Sequence, residues 1–440
     1  MTKINKSKKS VFIKIICFAF ALIMLAIPLT SCSNRVKKPI LKCKGEAISL
    51  GMYEYYLSRM KGTLERSKYD INPTSSFWTE KHPGSDLTNE EYYNQTILET
   101  CKNYLAALVI FKERGLSLSV EQLQAIEEDI QFFIEYDCAG SEENFNTLLE
   151  KYGTNIDELR MIYQMEAKYR AVIAALYGAD GSLIADTVKE QHYQNNYYRF
   201  KQILVSNFYY KNMVDEQGNV IYFDPETSKP VYDETNGSYR YDENNKRIVD
   251  KYGVAIRYDA DGNIVYDSKK GQPAPEADEK GNAIKYQYTE AEMEQRISEM
   301  NAFIEVCNGD PYAFEAEMPK WLLFEGVGEY YPDGYYLSDI ESSAYSDNMK
   351  DMLAELKTMD VGDISVIESD SGYHVIMKYE LDRGKHADSD YAEWFTKFTD
   401  NLITKLFLAE CEKYYPEMRE ITRNLKKARS IKSVGTNLYY

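Results

Sequence analysis

Histidine is scarce: the 440 residues hold four, His82, His192, His374 and His386. None stands at a ligand spacing from another, which argues against a histidine-built metal site. Cysteine offers no scaffold either. Of seven cysteines, five lie beyond the first 32 residues (Cys43, Cys101, Cys138, Cys307 and Cys411), without a CxxC or a Cys/His cluster. An odd, scattered set excludes a disulfide framework and a structural zinc site, so no cofactor is expected, while a single bridge stays open. Positive charge is in deficit, with 52 Lys and Arg against 70 Asp and Glu, and the net charge of −18 argues against nucleic acid as a partner.

What is present is apolar and aromatic material. Hydrophobic residues make up 44% of the chain and tyrosine alone supplies 39, enough to bury two or three cores at this length. Residues 1–31 read as an address rather than as fold. Lys3, Lys6, Lys8 and Lys9 precede the apolar run "VFIKIICFAFALIMLAIPL", near whose start lies Lys14 and which ends at "LTSC". That tetrapeptide resembles a bacterial lipobox, in which the cysteine, here Cys32, is acylated and becomes the mature N-terminus. The alternative is an uncleaved anchor, and both place the rest of the chain outside the cytoplasm against a membrane.

Residues 32–198 read as a helical domain. Capping-box pairs open its helices at Thr88 with Glu91, Ser119 with Gln122, and Thr154 with Asp157, and glycines 115, 140 and 178 close them. Apolar stripes such as Ile97, Cys101, Leu105, Leu108 and Phe111 mark packing faces. Residues 62–87 read as loop. At "RFKQILVS", 199–206, the period becomes that of a strand. Residues 207–288 then carry three D-x-x-G-N copies, at Asp215, Asp259 and Asp278, between short tyrosine and β-branched runs, the pattern of successive β-hairpins. The copies are 44 and 19 residues apart, which does not support a regular solenoid. A calcium loop would need Gly and Glu where, counting from Asp259, Ile264 and Lys270 stand. A helix capped by Thr289 and Glu292, another at "SDNMKDMLAELKTM", the turn "VGDIS" and the strand "SGYHVIMKYEL" follow. From Asp390 a helical stripe leads to a basic tail (Arg419, Arg423, Lys426, Lys427, Arg429, Lys432) that suits either a solvated face or anionic headgroups.

The order of these parts resembles the PrsA/SurA-type extracytoplasmic foldases, chaperones that carry a parvulin-like peptidyl-prolyl isomerase domain. "QILV" at 202–205, "GDIS" at 362–365 and "GYHVI" at 372–376 match the parvulin motifs. The resemblance implies an α+β chain: a SurA-N-like helical chaperone domain (32–198), a parvulin-like domain (199–381) with a small antiparallel sheet and the hairpin-rich insertion 207–288, and a C-terminal helix (382–440) packing back on the first domain. It implies a lipid anchor on the outer face of the bacterial cytoplasmic membrane, unfolded or newly exported polypeptides as partners, and a homodimer by family analogy.

It also implies a catalytic pair of histidines on the first and last strands, represented here by Gln202 and His374. Glutamine donates and accepts hydrogen bonds but takes up no proton near neutrality. The polar residue between the histidines has no counterpart in "PKWLLFEGVGEYYPDG", and Cys307 lies too early for it. Met349 and Met352 are the candidates for the apolar proline pocket, without the usual phenylalanine. His374 therefore has three readings: a hydrogen-bonded histidine inherited with the fold, a working isomerase group, or a metal ligand. The whole chain has two: a foldase whose isomerase activity is weak or absent, or a surface-tethered binding protein that recognises ligands through the tyrosine-rich insertion.

Overall fold

In a computed structural model, residues 37–67, 76–321 and 333–440 are described. Residues 1–31, expected from sequence to be a signal segment, Cys32 and most of the passage 319–334 lie outside them. The chain is mixed α/β with small antiparallel sheets, and it divides into two compact units. One runs to Ile184 and resumes over Ile403–Tyr440; the other is Ala185–Leu402.

The first unit joins a small sheet to five helices. Strands β1 (Pro39–Cys43) and β2 (Glu46–Ser49) form a hairpin whose outer neighbour is β13 (Arg419–Glu420). The helices are α1 (Leu50–Ser67), α2 (Asn89–Glu113), α3 (Val120–Cys138), α4 (Glu142–Glu150) and α5 (Ile156–Tyr177). Helix α1 runs six residues into the stretch expected to be loop. Both capping boxes expected for α2 and α3 are formed: the Thr88 and Ser119 hydroxyls accept from the third helical N–H, and Glu91 and Gln122 return the bond. Helix α5 starts one residue later than the Thr154 reading, because the Asn155 side chain accepts from Glu158 N–H instead. The α2 stripe from Ile97 to Phe111 is buried throughout.

The basic tail departs from the sequence reading in part. Past α10 (Phe398–Glu412) the chain holds only short helical and strand pieces, and two of the tail's cations pair with the unit's own acids. Arg429 donates to the buried Glu54 from its backbone N–H (2.9 Å) and its Nε (2.8 Å), and Lys432 pairs with Glu90 at 2.8 Å. The buried Lys61 ammonium donates to the carbonyls of Lys432 and Val434. Arg423, Lys426 and Lys427 stay exposed.

The second unit is built on a four-stranded antiparallel sheet in the order β10 (Tyr335–Ser338), β3 (Tyr197–Ser206), β12 (Gly372–Tyr379), β11 (Ile364–Ser369). Alternation along β3 and β12 creates two cores. Ile203, Val205, Val375 and Met377 pack with Met300, Phe303 and Cys307 of α7 (Glu290–Cys307) and Phe314 of α8 (Pro311–Glu317). On the opposite face Phe200, Ile376 and Leu337 pack with Met352, Leu353 and Leu356 of α9 (Asp347–Leu356). Lys378 closes that helix by donating its ammonium to the carbonyls of Leu356 (2.8 Å) and Met359 (2.5 Å). Helix α6 (Asp186–Asn196) leads into β3 and belongs to this unit.

The insertion is an array of nested pairs: β4 (Phe208–Tyr209) with β9 (Tyr286–Gln287), β5 (Tyr222–Phe223) with β8 (Gln272–Pro273), and β6 (Ser238–Tyr239) with β7 (Arg257–Tyr258). It is more regular than the three D-x-x-G-N copies suggest. Eight aspartates, at 215, 224, 233, 242, 250, 259, 267 and 278, recur every eight to eleven residues. Each accepts, on one carboxylate oxygen, the backbone N–H three or four residues ahead. Few side chains are buried here, and rings and cations supply the packing. Arg247 and Arg257 lie 4.0 and 3.7 Å from the centroid of Tyr239, and Tyr232 stacks on Tyr266 at 5.1 Å.

Candidate functional site

The register of β3 against β12 decides which side chains meet. His374 lies opposite Leu204 and Ile376 opposite Gln202, so Gln202 and His374 are diagonal neighbours on one face of adjacent central strands. On the other flank Ile367 of β11 lies opposite His374, and Ser369 opposite Gly372. One sheet face thus carries a polar line, Gln202, His374 and Ser369, bordered by Leu204 and Ile367, all half-buried.

The line is hydrogen-bonded from end to end. His374 Nδ1 is 3.2 Å from Gln202 Oε1, and Nε2 is 3.1 Å from Ser369 Oγ. Oε1 can only accept, so Nδ1 carries the proton and donates it. Burial pushes the His374 pKa below its ordinary value of 6.5. In the neutral ring Nε2 therefore accepts the Ser369 hydroxyl proton. The same hydroxyl also lies 3.2 Å from the Gly372 carbonyl, as a donor, and accepts from Ser371 N–H at 3.2 Å. Rotating one O–H bond toward Gly372 would leave Ser369 Oγ free to accept from a protonated Nε2, so both charge states of the ring can be satisfied without moving a heavy atom.

The turn that presents Ser369 depends on Gly372. Its φ is +124°, and a β-carbon there would meet the Val205 carbonyl oxygen at 2.2 Å, so any side chain would force β12 away from β3.

The residues singled out from sequence are distributed unevenly. Gln202 and His374 come together. Met352 is 4% exposed and packs in the core beneath α9, leaving it little surface for a ligand, whereas Met349 is half-buried at the edge of that core. Cys307 lies in the core on the opposite face of the sheet from His374. His192 and His386 sit in an aromatic cluster with Tyr193 and Phe398, apart from the polar line. Ser369 was missed; the clue was a serine three residues before Gly372, at the start of a two-residue turn. Among the described residues no group of histidines, cysteines and carboxylates is arranged to hold a metal ion. Chemically, the line offers one neutral imidazole, one amide and one hydroxyl. The Ser369 hydroxyl does face a base in the His374 ring, but the ring is backed by the neutral Gln202 amide and not by a carboxylate, so the line suits hydrogen bonding to an amide better than bond cleavage.

A concavity of about 700 Å³ elsewhere on the second unit is lined by residues that include Glu190, Tyr198, Arg199, Lys378 and Tyr379. Two of its three cations are engaged: Arg199 pairs with Asp382 at 2.8 Å and donates to the carbonyls of Asp333 and Glu380, and Lys378 closes α9, while the third, Arg383, is exposed.

No family model and no curated protein matches the chain. Among solved structures, the crystal structure of PrsA from Bacillus subtilis is similar to it at 13% sequence identity, over 79% of this chain and 91% of that one, with a TM-score of 0.18.

Proposed function

We propose that this chain is an extracytoplasmic foldase, tethered by an acylated Cys32 to the outer face of the bacterial cytoplasmic membrane. It binds unfolded or newly exported polypeptides and accelerates X-Pro isomerisation weakly or not at all. The observation that carries the reading is the hydrogen-bonded line Gln202, His374 and Ser369 on the central strands, with Leu204 and Ile367 beside it. Isomerising X-Pro forms no covalent intermediate. It requires a twisted amide to be stabilised against a barrier of about 18–20 kcal/mol, for which polar groups beside an apolar patch are the appropriate equipment. The lipobox-like "LTSC" and the motifs "QILV", "GDIS" and "GYHVI" support the same reading. A glutamine at 202 and a neutral His374 favour modest activity.

A proline-limited refolding assay tests the catalytic part. The expected result is a small rate increase over buffer that His374→Ala abolishes. A rate equal to buffer that is also unchanged by the substitution removes catalysis, and failure to suppress aggregation of an unfolded client removes the chaperone role as well.

A second reading, a tethered binding protein, has its own support in the insertion, where 11 tyrosines occur between residues 207 and 288. Tyrosine at that density forms adaptable contact surfaces.

A further inference from the structure

The two outer strands of the second unit's sheet are treated very differently. Tyr336, Leu337 and Ser338 of β10 are fully buried, and the Ser338 N–H is bonded to the Tyr345 hydroxyl at 3.0 Å. At the other edge β11 has no such cover among the described residues. Its sequence, "ISVIES", contains no lysine, proline or glycine, its one charge is the exposed Glu368 next to its end, and Val366 is 41% exposed. Edge strands in stable monomers are normally blunted by lysine, proline, a bulge or a covering segment.

The direction of its free backbone groups follows from the ladder. In an antiparallel pair each residue turns its N–H and C=O to the same side, and successive residues alternate. Asn207 N–H donates to the Ser371 carbonyl at 3.0 Å, which turns the odd residues of β12 toward β3. Lys378 exchanges bonds with Gly362 and Asp363, which turns the even ones toward β11. Their partners are Ser365, Ile367 and Ser369. Ile364, Val366 and Glu368 therefore aim their N–H and C=O groups outward, and among the described residues no backbone group receives them.

We propose that β11 is a docking edge for an extended stretch of client polypeptide, which adds to the sheet as a fifth strand. The inference rests on the foldase reading and deepens it by naming where the client binds. Three outward pairs of donors and acceptors at strand spacing fit another extended backbone, and neither a helix nor a saccharide presents a matching row. The side chains of such a strand that point to the site face lie beside Ile367 and Ser369, about two strand spacings, roughly 10 Å, from His374. The docked strand has an outer edge of its own, so a proline whose missing N–H points to solvent is accepted. Recognition through backbone is largely indifferent to client sequence; side-chain preference comes from Ser365, Ile367 and Ser369 on the site face and from Ile364, Val366 and Glu368 on the other.

The test uses the full chain and a short fluorescein-labelled peptide that alternates valine and threonine around one proline. Val366→Pro removes an outward N–H without touching the ladder to β12 and is expected to weaken binding about tenfold or more, with the melting temperature unchanged. Val366→Lys, which leaves the backbone intact, is expected to weaken it less. A peptide N-methylated at alternate residues is expected to bind the unaltered protein poorly in one methylation register and normally in the other. Hydrogen exchange should slow at Ile364, Val366 and Glu368 when peptide is added. The inference is overturned if peptide binds but protection falls in the helices of the first unit and Val366→Pro binds normally, an outcome that leaves the foldase reading standing. It is also overturned if these amides are protected without peptide and the chain sediments as a dimer, since a second copy then occupies the edge. If the unaltered protein binds no unfolded polypeptide at all, both readings fall.

Discussion

Because burial lowers the pKa of His374, the ring stays neutral in the fold at pH values where an unfolded chain already protonates it. His386 is shifted in the same direction by its own burial, against the opposing pull of Glu190. The unfolded state binds the extra proton, so these histidines favour the fold above about pH 6.5 and lose that contribution as pH falls below it. The expected outcome is a urea midpoint that declines from pH 7 to pH 5.5, with a smaller decline in His374→Gln and smaller still when His386→Gln is added. Identical slopes in all three proteins would show that neither ring titrates differently on folding. The lowered carboxylates of the insertion act in a separate and more acid window: Asp224 is held down by the Thr227 N–H and Asp278 by the Asn282 N–H. At this scale the sequence was partly readable. The types at 202 and 374 suggested a pair only through their resemblance to strand motifs, since 172 positions separate them and no local pattern links them. Ser369 escaped because its role depends on a turn geometry that Gly372 sets.

Elements were legible where their rules are local. The capping boxes of α2, α3 and α7 all form, because each needs only two side chains three residues apart. The hairpins expected in the insertion are there, but their regularity escaped for an equally physical reason. D-x-x-G-N marks only those turns in which glycine takes the left-handed position, whereas Asn245 fills it after Asp242, at φ 61°, and Asp224, Asp233 and Asp267 bond three residues ahead instead of four. The repeating unit is the aspartate that receives backbone N–H groups. Asp250 accepts from Tyr252 and Val254 N–H at 2.8 Å each and from the Tyr232 hydroxyl at 2.7 Å. Asp250→Ala should destabilise the array by about 2 kcal/mol and open a protease site near Lys251, while Glu243→Ala should do neither. Limited trypsin digestion followed by mass mapping reads the difference. Equal digestion of both variants would show that the turns do not hold the array.

For the whole molecule, the informative experiment removes residues 208–287. Tyr288 N–H donates to the Asn207 carbonyl at 3.1 Å, so the two ends of the insertion already touch and a short glycine link can join them. The foldase reading expects the shortened protein to keep its sheet and still suppress client aggregation; the binding-protein reading expects ligand capture to vanish. What no local rule could supply at this scale is the destination of the chain's last segment. The pairing of Arg429 with Glu54 spans 375 positions, and a run of cations looks the same in a sequence whether it faces water, lipid or its own acids.

The touching ends of the insertion also bear on the order in which the chain folds. Strand β3 cannot complete its pairing until β12 emerges, and 82 residues of array separate it from even the next helix. A disordered loop of that length would add to the closure entropy of every later contact. The rungs of the array nest inside one another and each closes over a short distance, so the array can zip up before β12 exists. Once zipped, it holds Asn207 beside Tyr288 and shortens the effective path from β3 to the rest of its sheet, so that the topology would fold as one of lower contact order than its numbering suggests.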